Sequence, residues 1–281
     1  MPILVFSSSF NQPDAKTYYD NALKSLNQQD YMRAISEFTN AISLKSDYAD
    51  AYYYRATAKE LLGKKMGFAS TELCSDLATA LSYGKVEAIA KLEKICINEC
   101  YDLDGSFVEP DIVYCSDFSS KQLTDLPNGS EKLVYLSKLN LFNNKLTSMS
   151  DKFGNFPSMI SLDLSSNKLT SVSPVIGKMQ YITELNLSKN QISSLPYEIG
   201  KLRNLRMLNL RHNALTSFPP SIATLNKLET LDLALNKLTS LPVDIAGMTN
   251  LKTLILVGNE IPPKEQSKIK ALLPKTTIYF E

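Results

Sequence analysis

The sequence predicts two repeat arrays in one chain: a helical array, followed by an α/β solenoid with a curved parallel sheet. Three observations support this prediction. Apolar residues recur at helical spacing in the first third of the chain, an asparagine recurs every 23 residues in the second half, and leucines keep step with that asparagine. A chain of 281 residues is long enough for two such parts.

The asparagine period is the most specific signal in the chain. We expect a structural role for all six members of the series: Asn144, Asn167, Asn190, Asn213, Asn236 and Asn259. Leucine lies three and five residues before each one, a spacing typical of a short strand with one buried face. A carboxamide has both a donor and an acceptor, so a stack of asparagines can satisfy the backbone groups that successive turns bury.

This series, with the continuations LPYEIGKL, FPPSIATL and LPVDIAGM, resembles the leucine-rich repeat LxxLxLxxNxL in its LPxxIxxL subtype. The resemblance covers about residues 113–281. It implies a horseshoe in which each repeat contacts its neighbours and the strands form a concave parallel sheet. Ser150 and Ser173 replace the subtype's proline in two early repeats, and Lys121 replaces the asparagine in an atypical first repeat.

The first third of the chain has a different period. The stretch YYDNALKSLNQQDYMRAISEFTNAISL, followed by AYYYRATAKELLG, resembles the tetratricopeptide repeat, a helical hairpin of 34 residues, over about residues 15–100. The resemblance implies a peptide-binding groove, and Tyr19 and Tyr53 are expected to face it. Leu23 and Thr57 stand where the family's carboxylate clamp has asparagine, so chaperone tails are not the expected ligand.

The two resemblances divide the chain into five segments. They are an N-terminal extension (1–14), a tetratricopeptide-like helical domain (15–104), a junction with an N-terminal capping repeat (105–135), leucine-rich repeats (136–261) and a C-terminal cap (262–281). In the cap, a short helix over Ile269 and Leu272 and a final strand at 277–280 are expected, separated by Pro274.

Composition and motifs exclude several functions. The net charge of +1 and the mixed distribution of lysines and acids do not favour nucleic acid, and no apolar run approaches the roughly 20 residues that span a membrane. The only histidine, His212, has no acid at a matching position, and the chain has no phosphate-binding motif. We therefore expect no enzymatic activity, no cofactor and no metal.

The four cysteines are few and scattered: Cys74, Cys96, Cys100 and Cys115. This pattern does not suggest a disulfide framework, and buried free thiols are expected. A helical reading would place Cys96 and Cys100 on one face.

The residues between the strand leucines are expected to face the concave side. In the last repeats these positions hold apolar residues beside cationic and polar ones. We predict that this surface binds a partner through Met207, Arg211, His212, Leu235, Ile255 and Val257. The alternative is that the C-terminal cap folds over part of this surface and leaves nothing to bind.

The sequence therefore predicts a protein–protein interaction adaptor of unknown partner, expected to be a monomer in the cytoplasm. Two alternatives remain open. One is a regulatory or targeting subunit of a signalling enzyme in a small-GTPase or kinase pathway, as the LPxxI resemblance implies. The other is a secreted, periplasmic or envelope protein that binds an external ligand, if the true start lies upstream of Met1.

Overall fold

The computed structural model describes residues 13–67, 72–97, 100–102, 105 and 113–281. The predicted N-terminal extension (1–14) lies outside the described residues except for Pro13 and Asp14. The chain divides into two compact units, Met1–Ala88 and Ile89–Glu281, called unit 1 and unit 2 below. Across the described ranges, no helix is both long and apolar enough to span a bilayer.

Unit 1 is helical. Its described residues form α1 (Ala15–Asn27), α2 (Tyr31–Leu44), α3 (Ala49–Met66) and α4 (Glu72–Ser82). The starts of α1 and α3 are offset as a 34-residue hairpin repeat requires. Alanines such as Ala22 and Ala34 are fully buried, which lets neighbouring helices approach closely. The helices are consistent with the tetratricopeptide-like prediction, which stays a prediction.

A buried carboxylate links two helices of unit 1. Asp76 on α4 is almost fully buried and accepts two hydrogen bonds from Arg55 on α3, from Nε at 2.9 Å and from Nη2 at 2.6 Å. Lys59 Nζ lies 3.1 Å from the same carboxylate. A buried charge with such partners is tolerated, whereas removal of one partner leaves an uncompensated charge.

Unit 2 is built on a parallel sheet of eight strands in chain order. The strands are β1 (Cys115–Asp117), β2 (Lys138–Asn140), β3 (Ser161–Asp163), β4 (Glu184–Asn186), β5 (Met207–Asn209), β6 (Thr230–Asp232), β7 (Thr253–Ile255) and β8 (Thr277–Tyr279). Short 3-10 helices follow in the repeats, at Ser130–Lys132, Asp151–Asn155, Pro174–Lys178, Tyr197–Lys201, Pro220–Thr224 and Val243–Gly247. This arrangement confirms the predicted fold class.

The register of the sheet reproduces the sequence period. Leu185 of β4 is paired with Leu208 of β5, and the other repeats are paired in the same way. Leu185 and Leu187 are buried, as are the leucines at the same positions of other repeats, and they form one continuous core. The residues that flank each central leucine remain at the concave surface.

The N-terminal edge of the sheet is covalently closed. Helix α5 (Ala88–Lys91) and a π-helical turn (Leu92–Cys96) precede it. Tyr101 then forms a parallel bridge with Ser116 of β1, and Cys100 forms a disulfide with Cys115.

The expectation of free thiols is wrong, because all four cysteines are described and none is free. The reason is that the chain leaves the helix after Cys96. Cys100 therefore runs beside β1 and does not share a helix face with Cys96.

The unit boundary differs from the predicted one. The sequence places the junction at 105–135, of which 106–112 lie outside the described residues. The structure divides the chain between Ala88 and Ile89. Ile89 and Leu92 are buried, and Thr183 Oγ1 donates a hydrogen bond of 3.1 Å to Glu93 Oε1, so this segment belongs with the repeats.

The C-terminal end has the expected helix and strand. Helix α6 (Pro263–Leu272) buries Ile269 against the core, and Thr276 Oγ1 donates to the carbonyl oxygen of Leu251 at 2.7 Å. Strand β8 then pairs with β7 and extends the sheet. The cap therefore closes the end of the core and continues the concave face.

Candidate partner-binding surface

The repeating asparagines connect consecutive turns. Asn190 is buried; its Nδ2 donates to the carbonyl oxygens of Leu164 and Leu187, both at 3.0 Å, and its Oδ1 accepts from the Leu169 amide at 3.0 Å. Each of the other five asparagines bonds in the same way to its own turn and to the preceding repeat. These side chains therefore use their hydrogen-bonding groups within the solenoid, and their role is structural.

A second polar column occupies the concave face and is also structural. The last residue of each strand from β1 to β6 accepts a hydrogen bond from the backbone amide two residues later: Asp117, Asn140, Asp163, Asn186, Asn209 and Asp232. Such Asx turns direct the chain away from the strand. The 23-residue spacing of Asp or Asn at this position is the sequence signal of this role, and it was not among our predictions. In β7 the position is Ile255, which makes the end of this column apolar.

A third column has left-handed backbone. The residue before each ladder asparagine has a positive φ: Asn143, Ser166, Lys189, His212, Leu235 and Gly258. Leucine is unusual in this region, yet Leu235 adopts φ of 56° with its side chain exposed. Gly258 follows one repeat later, and a Cβ there would lie 2.6 Å from Leu235 Cδ2. The glycine therefore leaves room for the leucine side chain on the surface.

The predicted apolar residues lie in neighbouring repeats, either on the strands (Met207, Ile255) or in the turns that follow them (Leu235, Val257). Met207 is 47% exposed, Leu235 is 42% exposed, and Ile255 and Val257 are half-buried. Tyr279 of β8 is paired with Ile255 and is 49% exposed, so it adds an aromatic ring to the same surface. We call these five residues the apolar patch. The C-terminal cap does not fold over the patch. It extends the patch by Tyr279, which we did not predict from the sequence.

Two predicted polar residues, one of them the cationic Arg211, lie beside the patch. Arg211 and His212 follow β5 and are exposed. Their backbones are held in place, because the Arg211 amide donates to Asn209 Oδ1 at 3.0 Å and the His212 amide donates to the Ala234 carbonyl at 2.8 Å. Among the described residues, neither side chain makes a hydrogen bond or an ion pair. The structure thus presents two cationic or polar side chains on a fixed backbone.

A cavity of about 570 Å³ lies at the beginnings of the central strands, and Met207 of the apolar patch lines it. Glu93 borders it from the segment before the sheet, and Lys138, Glu184, Arg206 and Glu229 line it from the repeats. A hydrogen bond from Lys252 lowers the pKa of Glu229. The sequence could not show this cavity, because Glu93 is distant in the chain from the repeats it faces.

The two predicted groove residues of unit 1 are engaged in aromatic packing. Tyr19 stacks on Tyr48 with ring centroids 4.8 Å apart and also packs against Phe38. Burial, followed by the charge of Asp50, raises the pKa of Tyr19. Tyr53 is half-buried, and its ring meets that of Tyr54 edge-on at 5.4 Å. Packing within unit 1 therefore accounts for much of the surface of both rings.

Comparisons with known proteins agree with the geometry of unit 2. A family model described as a leucine-rich repeat region matches residues 176–273, and one described as a leucine rich repeat matches 134–192. A solved structure of a leucine-rich repeat protein from Leptospira interrogans is 27% identical over 66% of this chain, with a TM-score of 0.51. This chain covers 58% of that protein. Curated proteins give no match. The second half of this chain is therefore a leucine-rich repeat solenoid.

Proposed function

We propose that this protein is a non-enzymatic binding scaffold that holds a partner protein on the concave face of unit 2. The observation that supports this proposal is the apolar patch, which spans β5 to β8 on a regular sheet. Apolar side chains that are exposed together and bordered by polar groups mark interaction surfaces. The asparagine ladder holds the backbone of this surface from β5 to β7, and the Asx bonds of Asn209 and Asp232 add to it in β5 and β6, so little conformational freedom is lost on binding.

The polar groups of the concave face support binding over catalysis. Asp163 and Asp232 hold turns through Asx bonds, and His212 has no hydrogen bond to a described carboxylate. In the described ranges, no three His, Cys, Asp or Glu side chains gather as metal ligands would. The surface thus offers shape and apolar area to a partner.

The disulfides favour a compartment other than the expected cytoplasm. None of the four cysteines is a free thiol, and Cys100–Cys115 closes the edge of the sheet. Disulfides persist in secreted, periplasmic and surface proteins and are rare in the cytosol. We therefore favour a secreted or envelope protein whose concave face binds an external partner protein. Labelling with a thiol-reactive polyethylene glycol before reduction tests this: modification of native protein from its source would contradict it.

Affinity capture tests the binding surface. The full chain and a variant that carries Leu235→Asn and Ile255→Asn are each used to capture proteins from a lysate of the source organism, and the captured proteins are compared. Both changes introduce asparagine where other repeats have it, as at Asn143 and Asn209, so the variant is expected to fold. Circular dichroism verifies this.

A protein captured by the parent and lost with the variant identifies the apolar patch as the site. Equal capture by both would exclude the patch, and attention would move to the tyrosine-rich surface of unit 1. A captured catalytic domain would make this chain a targeting subunit of a signalling enzyme.

A further inference from the structure

The border of the apolar patch contains side-chain donors that bond to no residue the structure describes. Arg211 follows Met207 in the same repeat and precedes the more apolar repeats, and its guanidinium makes no ion pair with any described residue. Lys189 and His212 occupy the neighbouring left-handed positions and are also exposed. Guanidinium groups bind planar carboxylates through two parallel hydrogen bonds, which makes arginine well suited to this kind of recognition.

Several carboxylates of the same face already accept hydrogen bonds. Asp232 Oδ1 accepts from the Ala234 amide at 2.9 Å, and Asp163 accepts from Ser165 and from Asn186 Nδ2. Glu229 is paired with Lys252 at 2.5 Å. The protein therefore supplies donors beside the apolar patch while its nearby acids have other partners. A carboxylate of a ligand can therefore bind the Arg211 guanidinium without displacing an ion pair to a described residue.

The spacing of the groups defines the ligand further. Arg211, Ala234 and Val257 occupy the same position in three consecutive repeats, and adjacent strands are about 4.8 Å apart, so Val257 lies about 10 Å from Arg211. Ala234, in the repeat between them, is fully buried, so no side chain projects from the surface between Arg211 and Val257 at this position. About 10 Å corresponds to three residues of extended chain or two turns of helix.

We propose that the partner docks through a segment in which an aspartate or glutamate binds Arg211 while apolar side chains about 10–15 Å away cover Val257, Ile255 and Tyr279. This inference rests on the proposed function and adds the chemistry of the partner. The Arg211 guanidinium favours an acidic group on the partner, and the adjoining exposed apolar side chains favour apolar residues beside it. Together they favour an acidic, amphipathic protein segment.

A random dodecapeptide library displayed on phage, selected against the immobilised full chain, tests the proposal. Enriched peptides are expected to combine Asp or Glu with Leu, Ile, Phe or Trp. Selection against an Arg211→Glu variant is expected to enrich Lys or Arg in place of the acid, because the charge at the contact is reversed. Arg203→Glu, at an exposed arginine outside the concave face, serves as the matched control and should leave the acidic preference unchanged.

Synthetic peptides from the selection make the result quantitative. Arg211→Gln, or Glu→Gln in the peptide, is expected to weaken binding about tenfold or more, and the two changes together should weaken it little further. Peptides without an acid that bind the parent and the Arg211→Glu variant equally would overturn the inference and leave the proposed function standing. Enrichment that is the same on the Leu235→Asn, Ile255→Asn variant, or absent on the parent, would overturn both.

Discussion

Replacement of Asn190 by alanine removes hydrogen bonds from two repeats at once. The Leu169 amide loses its acceptor, and the carbonyl oxygens of Leu164 and Leu187 lose a donor at 3.0 Å. A buried polar group left without a partner costs about 1–3 kcal/mol. Because the remaining side chain is too short to reach any of these groups, we expect the free energy of unfolding to fall by about 2–3 kcal/mol.

Asn259 provides an internal comparison. It makes the equivalent bonds, to the Leu238 amide and the Leu233 carbonyl, but it lies near the end of the array and is only half-buried. Water can replace more of its hydrogen bonds, so Asn259→Ala should lower the free energy of unfolding by about 1 kcal/mol. Asn204→Ala, at a more exposed asparagine outside the ladder, should change stability by less than about 0.5 kcal/mol.

Urea unfolding followed by circular dichroism measures all three variants. The midpoint for Asn190→Ala should fall with an unchanged slope, because the surface exposed on unfolding is the same. A loss below about 0.5 kcal/mol for Asn190→Ala, or a larger loss for Asn259→Ala, would refute the assignment of the ladder as a buried hydrogen-bond network.

Three further predictions concern packing, charge and the disulfide. A Cβ at Gly200 would lie 2.5 Å from a backbone carbonyl oxygen of the next repeat, so Gly200→Ala should lower the thermal midpoint of unit 2. Gly154→Ala, where a flexible lysine is the nearest neighbour, should lower it less. Asp76→Ala leaves an arginine without its buried partner and should destabilise unit 1 by about 2–4 kcal/mol, measured as lost helical signal in urea; an unchanged transition would contradict the buried ion pair. The Cys100→Ser, Cys115→Ser pair opens a loop with a sequence separation of 15 and should cost about 2–3 kcal/mol. Reductant should then have a smaller effect on the variant than on the parent, and an equal effect would argue against this bond.

Much of unit 2 could be predicted from the sequence because its constraints are local and recur. Each repeat must place one asparagine in its turn and leucines on the buried side of its strand, so Asn190 and Leu185 together predict the short strand centred on Leu185. The exposed position of Met207 follows from the same alternation, whereas Leu235 lies in the turn after its strand, where the backbone is left-handed. The helical period of unit 1 is visible for a similar reason, since Ala22 and Ala34 lie where helices touch.

Other features depend on chain segments that meet only in the folded molecule. Cys100 reaches Cys115 because the chain leaves its helix and runs beside β1, and thiol spacing alone does not show that change of direction. Glu93 meets the repeats through Thr183, which is far from it in sequence. Tyr279 joins the apolar patch because β8 pairs with β7. The sequence by itself thus determined the repeating framework through local periodicity. Only the tertiary structure decided which cysteines pair, what covers the ends of the sheet and how far the binding surface extends, because these depend on contacts between distant residues.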